Sequence, residues 1–215
     1  IDQEGLSIVD IFDVMELVDI LLSDDNESCG SEIADMNSDG NQNVVDIIFL
    51  VQMLLGGDFE SLTSYDPGLF EIDNNGIDTK ISISNDSKIG GFQFTTSLGE
   101  VSENDLSSLN LPTGWVVEYV VNNQNINVLI FDISGQNSVE TLDLNFSSVS
   151  SNSFQNIVLA NGNAQQIEYT IMEKVTEQID ISPEDYQLYS LYPNPFNPSL
   201  NLSLIHISEP TRPVT

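Results

Sequence analysis

Apolar residues recur every three or four positions near the start of the chain. Beyond position 80 they alternate with polar residues or gather in short runs. Over residues 9–22 the set Ile11, Val14, Met15, Val18, Leu21 and Leu22 keeps helical spacing. Asp10, Asp13 and Glu16 line another face, which predicts an amphipathic helix. A second helix is predicted over 45–55, apolar almost all round, interrupted only by Asp46 and Gln52 and stopped at Gly56-Gly57. Two such helices can bury one face each against the other. The second then has apolar surface to spare, either for a partner or for a neighbouring domain.

Residues 58–77 read as a linker, punctuated by Asp58, Asp66, Pro67, Gly68 and the turn Asp73-Asn74-Asn75-Gly76. Strand signals follow. Ile81 and Ile83 alternate with serines, Phe92 and Phe94 come after Gly90-Gly91, and Trp115 opens a run to Val121. The stretch 125–133 reads as a buried central strand, Leu142, Leu144 and Phe146 alternate cleanly, and runs around Ile157 and Ile167 close the set. About seven strands with no good helix over 78–173 predict an antiparallel sandwich. The expected class is therefore multidomain, a small all-α unit over 1–57 joined to an all-β antiparallel sandwich. An acidic linker occupies 174–188, and closely spaced prolines open a further segment over 189–204.

Charge narrows the partners. Thirty-four acids face four bases, for a formal net charge of −30. Nucleic acid and anionic membranes call for clustered Lys and Arg, so neither is expected as a partner. A chain this acidic repels itself, and divalent cations would relieve that; it also suits a solvated surface in salty water. The apolar runs are too short to insert in a membrane. Neither an initiator Met nor an export signal opens the sequence, which reads as the C-terminal part of something larger.

Candidate chemistry lies in residues 35–46, Asp-Met-Asn-Ser-Asp-Gly-Asn-Gln-Asn-Val-Val-Asp. Asp35, Asn37 and Asp39 offer oxygens at the first, third and fifth positions, and Gly40 stands sixth, where the chain must turn. Asn41 would give a backbone carbonyl, Asn43 would coordinate directly or through water, and Asp46 would close the cage. Hard oxygen ligands on a loop suit Ca²⁺ better than zinc or copper. Without the ion, carboxylates about 4 Å apart repel by about 1 kcal/mol per pair in water and about 4 kcal/mol at an effective dielectric of 20. Folding of this unit is therefore expected to depend on calcium. The lone cysteine, Cys29, cannot form an internal disulfide and speaks for a reducing compartment. The calcium loop speaks for an extracellular one, and is the weightier sign.

The flanks of the loop repeat. Ile8-Val9-Asp10-Ile11-Phe12 matches Val44-Val45-Asp46-Ile47-Ile48 36 residues later, each followed by an apolar helix ending in Leu-Leu. This duplicated unit resembles the dockerin domain, the calcium-dependent plug of cohesin–dockerin assemblies. The resemblance implies partner contacts at Val44, Val45, Ile8 and Val9; Phe49, on the spare apolar face of the second helix, is a further candidate. A second, weaker metal site is expected at Glu4 and Asp10. Further on, Ile89-Gly90-Gly91-Phe92-Gln93-Phe94, Gly114-Trp115, the strand 127–131 and Asn156-Ile157-Val158-Leu159-Ala160 before Asn161-Gly162-Asn163 resemble a cohesin-like sandwich. That implies a nine-stranded jelly roll used for protein–protein attachment. Tyr192-Pro193-Asn194-Pro195-Phe196-Asn197-Pro198 resembles the entry to the C-terminal sorting domain of type IX secretion. It implies contact with that secretion machinery and release or anchoring at the surface of a Gram-negative bacterium. The last stretch, 205–215, holds the only His and the only Arg and resembles translated sequencing-adapter DNA.

No catalytic constellation is legible. His206 apart, no histidine is at hand as a general base, so Ser-His and Cys-His arrangements are excluded. Cys29 sits beside acids, which disfavours a reactive thiolate, and phosphate loops of known spacing are absent. The expected protein is a non-catalytic, calcium-binding attachment region of a secreted or cell-surface protein, with polysaccharide breakdown as its setting. Two alternatives stay open. One is a carbohydrate-binding sandwich using Trp115, Tyr119 and Phe92, although their apolar neighbours point to the core. The other is a carrier region of a larger secreted hydrolase.

Overall fold

The computed structural model describes residues 9–23, 34–57, 67–75, 78–147 and 153–175, all within a unit spanning 1–178. Glu4, Ile8, Cys29, the sorting motif 192–198 and the adapter-like end lie outside the described residues.

Helix α1 is Ile11–Leu22 and helix α2 is Val44–Leu54. Each begins with a capping box. Asp10 Oδ1 accepts from Phe12 N at 2.8 Å while Asp13 returns a carboxylate to Asp10 N at 2.6 Å. In α2, Asn43 Oδ1 accepts from Val45 N at 2.8 Å and Asp46 accepts from Asn43 N at 2.9 Å. Such boxes satisfy the free N–H groups of a first turn and fix where the helix starts. Aligned on them, the repeat runs at 33 residues instead of the 36 read from the sequence. Asp13 corresponds to Asp46, Asp10 to Asn43, and Glu16, not Asp13, to Phe49. The burial pattern agrees: Val14, Leu17 and Val18 match Ile47, Leu50 and Val51. Matching Val-Asp-Ile strings had masked this register, because the strings straddle the cap in one helix and follow it in the other. Asp10, expected as a ligand in a weaker metal site, is an exposed N-cap.

Among the described residues eight strands build the sandwich: β1 Gly68–Asn74, β2 Asp78–Ser97, β3 Trp115–Asn122, β4 Asn125–Asp132, β5 Val139–Ser147, β6 Gln155–Asn161, β7 Gln166–Ile167 and β8 Tyr169–Val175. Strand β2 serves both layers. Its first half pairs with β1 and β5; its second half, beyond an irregularity at Ser84–Ile89, pairs with β4 and β6. One layer is then β8-β1-β2-β5 and the other β3-β4-β2-β6-β7. All pairings are antiparallel except β1 with β8.

Strand β1 corrects the expected linker. Phe70 and Ile72 alternate into the core, paired opposite Ile83 and Ile81 of β2. A short apolar alternation hemmed by turn residues was read for its punctuation and not for its period. The inner core joins Phe70, Ile81, Ile83, Phe92, Phe94, Ile126, Val128, Ile130, Leu144 and Phe146, with Phe92 and Phe94 stacked at 5.0 Å and Phe94 edge-on to Phe154 at 5.2 Å.

A helix absent from the sequence reading, α3 (Glu103–Ser107), tucks Leu106 into that core. Asp105 ties it down, accepting from Ser102 N at 3.0 Å and from Ser147 Oγ of β5 at 2.7 Å. Burial pushes the Asp105 carboxyl up, but the bonds from Ser102 and Ser147 outweigh it and hold it below the usual range. The hydroxyl of Ser82 and the ammonium of Lys80 lower Asp143, against some burial. A depressed carboxylate stabilises the fold above its unfolded value, and that contribution disappears as pH falls through the folded one. In denaturation followed by the fluorescence of Trp115, the contribution of these two carboxylates is expected to be lost as pH falls below about 4. Asp105→Asn should already be weaker at neutral pH and lose less on acidification; a variant as acid-sensitive as the parent would contradict the assignment.

The spare apolar face of α2 lies on the sandwich. Leu129, Phe131 and Ala160, on the outer side of β4 and β6, share a second core with Val14, Leu17, Val18, Val44, Ile48 and Val51. This explains why β4 is apolar without alternation, since both of its faces are covered. The helices approach closely. A Cβ added at Gly91 would stand 2.6 Å from Val44 Cγ2, and one at Gly135 would stand 2.5 Å from Leu55 Cδ1. Polar clamps join the apolar contact at both ends of α2. Val44 N donates to Gln93 Oε1 at 2.9 Å, and Gln52 Nε2 donates to the carbonyls of Gly135 and Gly162, each at 2.8 Å. Val44 and Val45, expected to meet a partner, are 0 % and 1 % exposed. The chain's own helices and sheet cover them.

Candidate metal centre

The loop 35–46 is knotted by its own acceptors. Asp35 takes Asp39 N at 3.0 Å and Gly40 N at 2.9 Å. Asn37 Oδ1 takes Asp39 N at 3.0 Å, Asn37 Nδ2 donates to Asp39 at 2.8 Å, and Asp39 accepts from Asn41 N at 2.7 Å. Asp46, from the first turn of α2, reaches back to Met36 N at 2.8 Å and Asn37 N at 3.3 Å. Gly40 has a φ of +86°, in the left-handed region where a glycine costs least. Short polar side chains whose oxygens accept backbone N–H bonds two or more residues away are what make this sequence curl.

The sequence-expected ligands Asp35, Asn37, Asp39 and Asp46 thus belong to one hydrogen-bonded loop. Asn43 serves as the cap of α2, and the backbone N–H of Asn41 is held by Asp39. Among the described residues, no three Asp, Glu, His or Cys side chains converge as a ready-made cage. The donor set nonetheless fits a hard cation. Every candidate group is an oxygen, and a carboxylate oxygen bonded to one N–H keeps a lone pair for an ion. Asp46 is the telling member. It is fully buried, and burial pushes its carboxyl up; the N–H groups of Asn43, Asn37 and Met36 pull it down, while the charge of Asp39 adds to the rise. A buried carboxylate held by three N–H groups and within reach of the charge of Asp39 gains from a cation.

The remaining candidates scatter. Val9 is exposed and Phe49 is half-buried beside the second core. Phe92 and Trp115 are buried in the inner core and Tyr119 packs against it, with Trp115 Nε1 donating to Asn137 O at 2.8 Å. They form no open stacking platform for a sugar. Sequence reasoning missed Gln52 and Gln93. The sign for Gln52 was its place as one of two polar interruptions in an apolar helix. Gln93, on an alternating strand, gave none.

No family model and no curated protein matches the chain. Among solved structures it is similar to a non-cellulosomal cohesin from the archaeon Archaeoglobus fulgidus, with TM-score 0.32 and 13% identity over 53% of this chain and 94% of that one. It is similar also to a cohesin module of a family 33 glycoside hydrolase from Clostridium perfringens, with TM-score 0.29 and 12% identity over 52% of this chain and 100% of that one. A chitin-binding domain of a Pyrococcus furiosus chitinase gives TM-score 0.24 and 15% identity over 50% and 98%. None of the three is close enough in fold or sequence to say more about this chain. The class that its own strands and helices define is a largely antiparallel β-sandwich capped on one face by a helical pair.

Proposed function

We propose that this chain is a non-catalytic attachment module whose loop 35–46 binds calcium and, so ordered, seats the two helices on the sandwich. The observation that carries this reading is the buried Asp46 at the junction of loop and helix, tied to Met36, Asn37 and Asn43. In the bound state Asp35, Asn37, Asp39, the carbonyl of Asn41 and Asp46 would hold the ion, which supplies the charge that the buried carboxylate lacks. Asn43 would cap the helix.

With Val44 and Val45 covered, the surface best suited to a protein partner is the outer side of α1, where open apolar side chains cluster. Val9, Ile11, Met15 and Phe12 are open there, Phe12 at 77 % exposure. A run of open apolar side chains on one helix, set among acids, is suited to an apolar partner surface with a basic rim. Secretion by the type IX route and a place at the cell surface rest on the motif 192–198, and a polysaccharide setting rests on the dockerin and cohesin resemblance. No described helix is long and apolar enough to cross a membrane.

Calorimetric titration of the full chain with calcium chloride tests the reading. Uptake near one ion per chain is expected, with a gain in helical circular dichroism on going from chelator to calcium. Absence of a binding heat at millimolar calcium would overturn it.

A further inference from the structure

We infer that the helical cap is exchangeable between copies: loss of the ion frees it from its own sandwich, and on return of the ion it takes the same seat on a second copy, giving a reciprocal dimer. The inference rests on the calcium reading above and adds what the ion would control.

The seat is apolar. Leu129, Phe131 and Ala160 are buried under the helices, with Val116, Val120 and Val158 packed around them. Uncovered, they would form the kind of contiguous apolar patch that soluble monomers rarely leave open to water. An empty seat therefore calls for a cover, and the cover that fits is another copy of this cap. Its apolar side chains match the face, its Gln52 meets the carbonyls of Gly135 and Gly162, and its first free N–H meets Gln93. Seat and cap lie on one polypeptide, so two copies are reciprocally complementary and the assembly closes at two.

Reach and leverage both permit exchange. The nine residues 58–66 between Gly57 and Pro67 span at most about 30 Å when extended, about the diameter of a small domain. The loop acts at the edge of the seat. Asp46 is its last position and stands in the first turn of α2, two residues from Val44, which lies against Gly91 and bonds Gln93. A slack loop loosens that turn first, and the Gln52 clamp one helix-length away then has no fixed rod to hold it.

The test mixes affinity-tagged and untagged copies of the full chain, removes calcium with EGTA, restores it, and isolates the tagged copies. Mixed dimers of doubled native mass are expected, with residues 44–54 as protected from hydrogen exchange as in the monomer. Copies held in calcium throughout should stay unmixed. If calorimetry records calcium uptake but the chelated and restored copies remain unmixed, the exchange is refuted while the metal reading stands. Mixing that ignores calcium, or dimers with an unprotected α2, would equally refute it. If calcium uptake is itself absent, both readings fall together.

Discussion

Asp46→Asn is expected to abolish the difference between the chain in calcium and the chain in chelator. The parent should melt higher, and show more helix, with the ion present. At a free calcium concentration a hundredfold above its dissociation constant, that gain is about 2.7 kcal/mol. Asparagine keeps the shape and one acceptor oxygen but removes the charge. It also turns an amide toward an N–H group, whether that of Asn43 or those of Met36 and Asn37. Two opposed donors at a buried site cost about 1–3 kcal/mol. Against this, the variant no longer buries a charge, a relief of the same sign as the upward push on the carboxyl. In chelator the two effects partly cancel and the melting temperature should move little; in calcium the variant should fall to its chelator value. Differential scanning calorimetry in the two buffers reads this directly. A variant that still gains several degrees from calcium would place the ion elsewhere.

Gly91→Val should separate cap from sandwich. The Cβ alone would overlap Val44 Cγ2 at 2.6 Å, and two further methyls worsen it. Val44 is β-branched and stands in the first turn of its helix, so it has little freedom to turn aside. Overpacking of this kind costs about 1–3 kcal/mol. Within strand β2 the same change is favourable, since valine suits a pleated strand better than glycine does. The expected result is loss of amide protection over α2, with the emission of Trp115 and the protection of β2 and β4 retained. A cap that stayed protected would show that the close approach at Gly91 is not what holds it.

The sequence was legible where one period or one motif governed. Helix α1 came within two residues of its observed start because its apolar spacing is regular. The strand around Val128 and Ile130 was read as central and buried, and is so. The turn of residues 35–46 was written in consecutive residues, and its curl follows from local acceptors. Legibility failed where tertiary contact decides. Strand β1 is held by its neighbours β2 and β8, one of them 101 residues away at Gly68 and Tyr169, and its turn residues concealed its alternation. Whether the spare face of α2 was docking surface or core could not be read from the helix alone; the answer lies far along the chain, in Leu129, Phe131 and Ala160, which cover it, and in Gly91 and Gly135, whose missing side chains let it approach. The repeat register was misread because identical strings outweighed the capping pattern.

Strand β1 opens the sandwich, β8 closes it, and the two run parallel over seven paired residues, from Gly68 with Tyr169 to Asn74 with Val175. Tension applied through the two ends of the sandwich therefore drags these strands past one another along their length. The rungs of the ladder share such a load and must yield together, whereas an antiparallel closing pair would peel apart one rung at a time. A tethered module under fluid drag would draw its resistance to pulling from this arrangement.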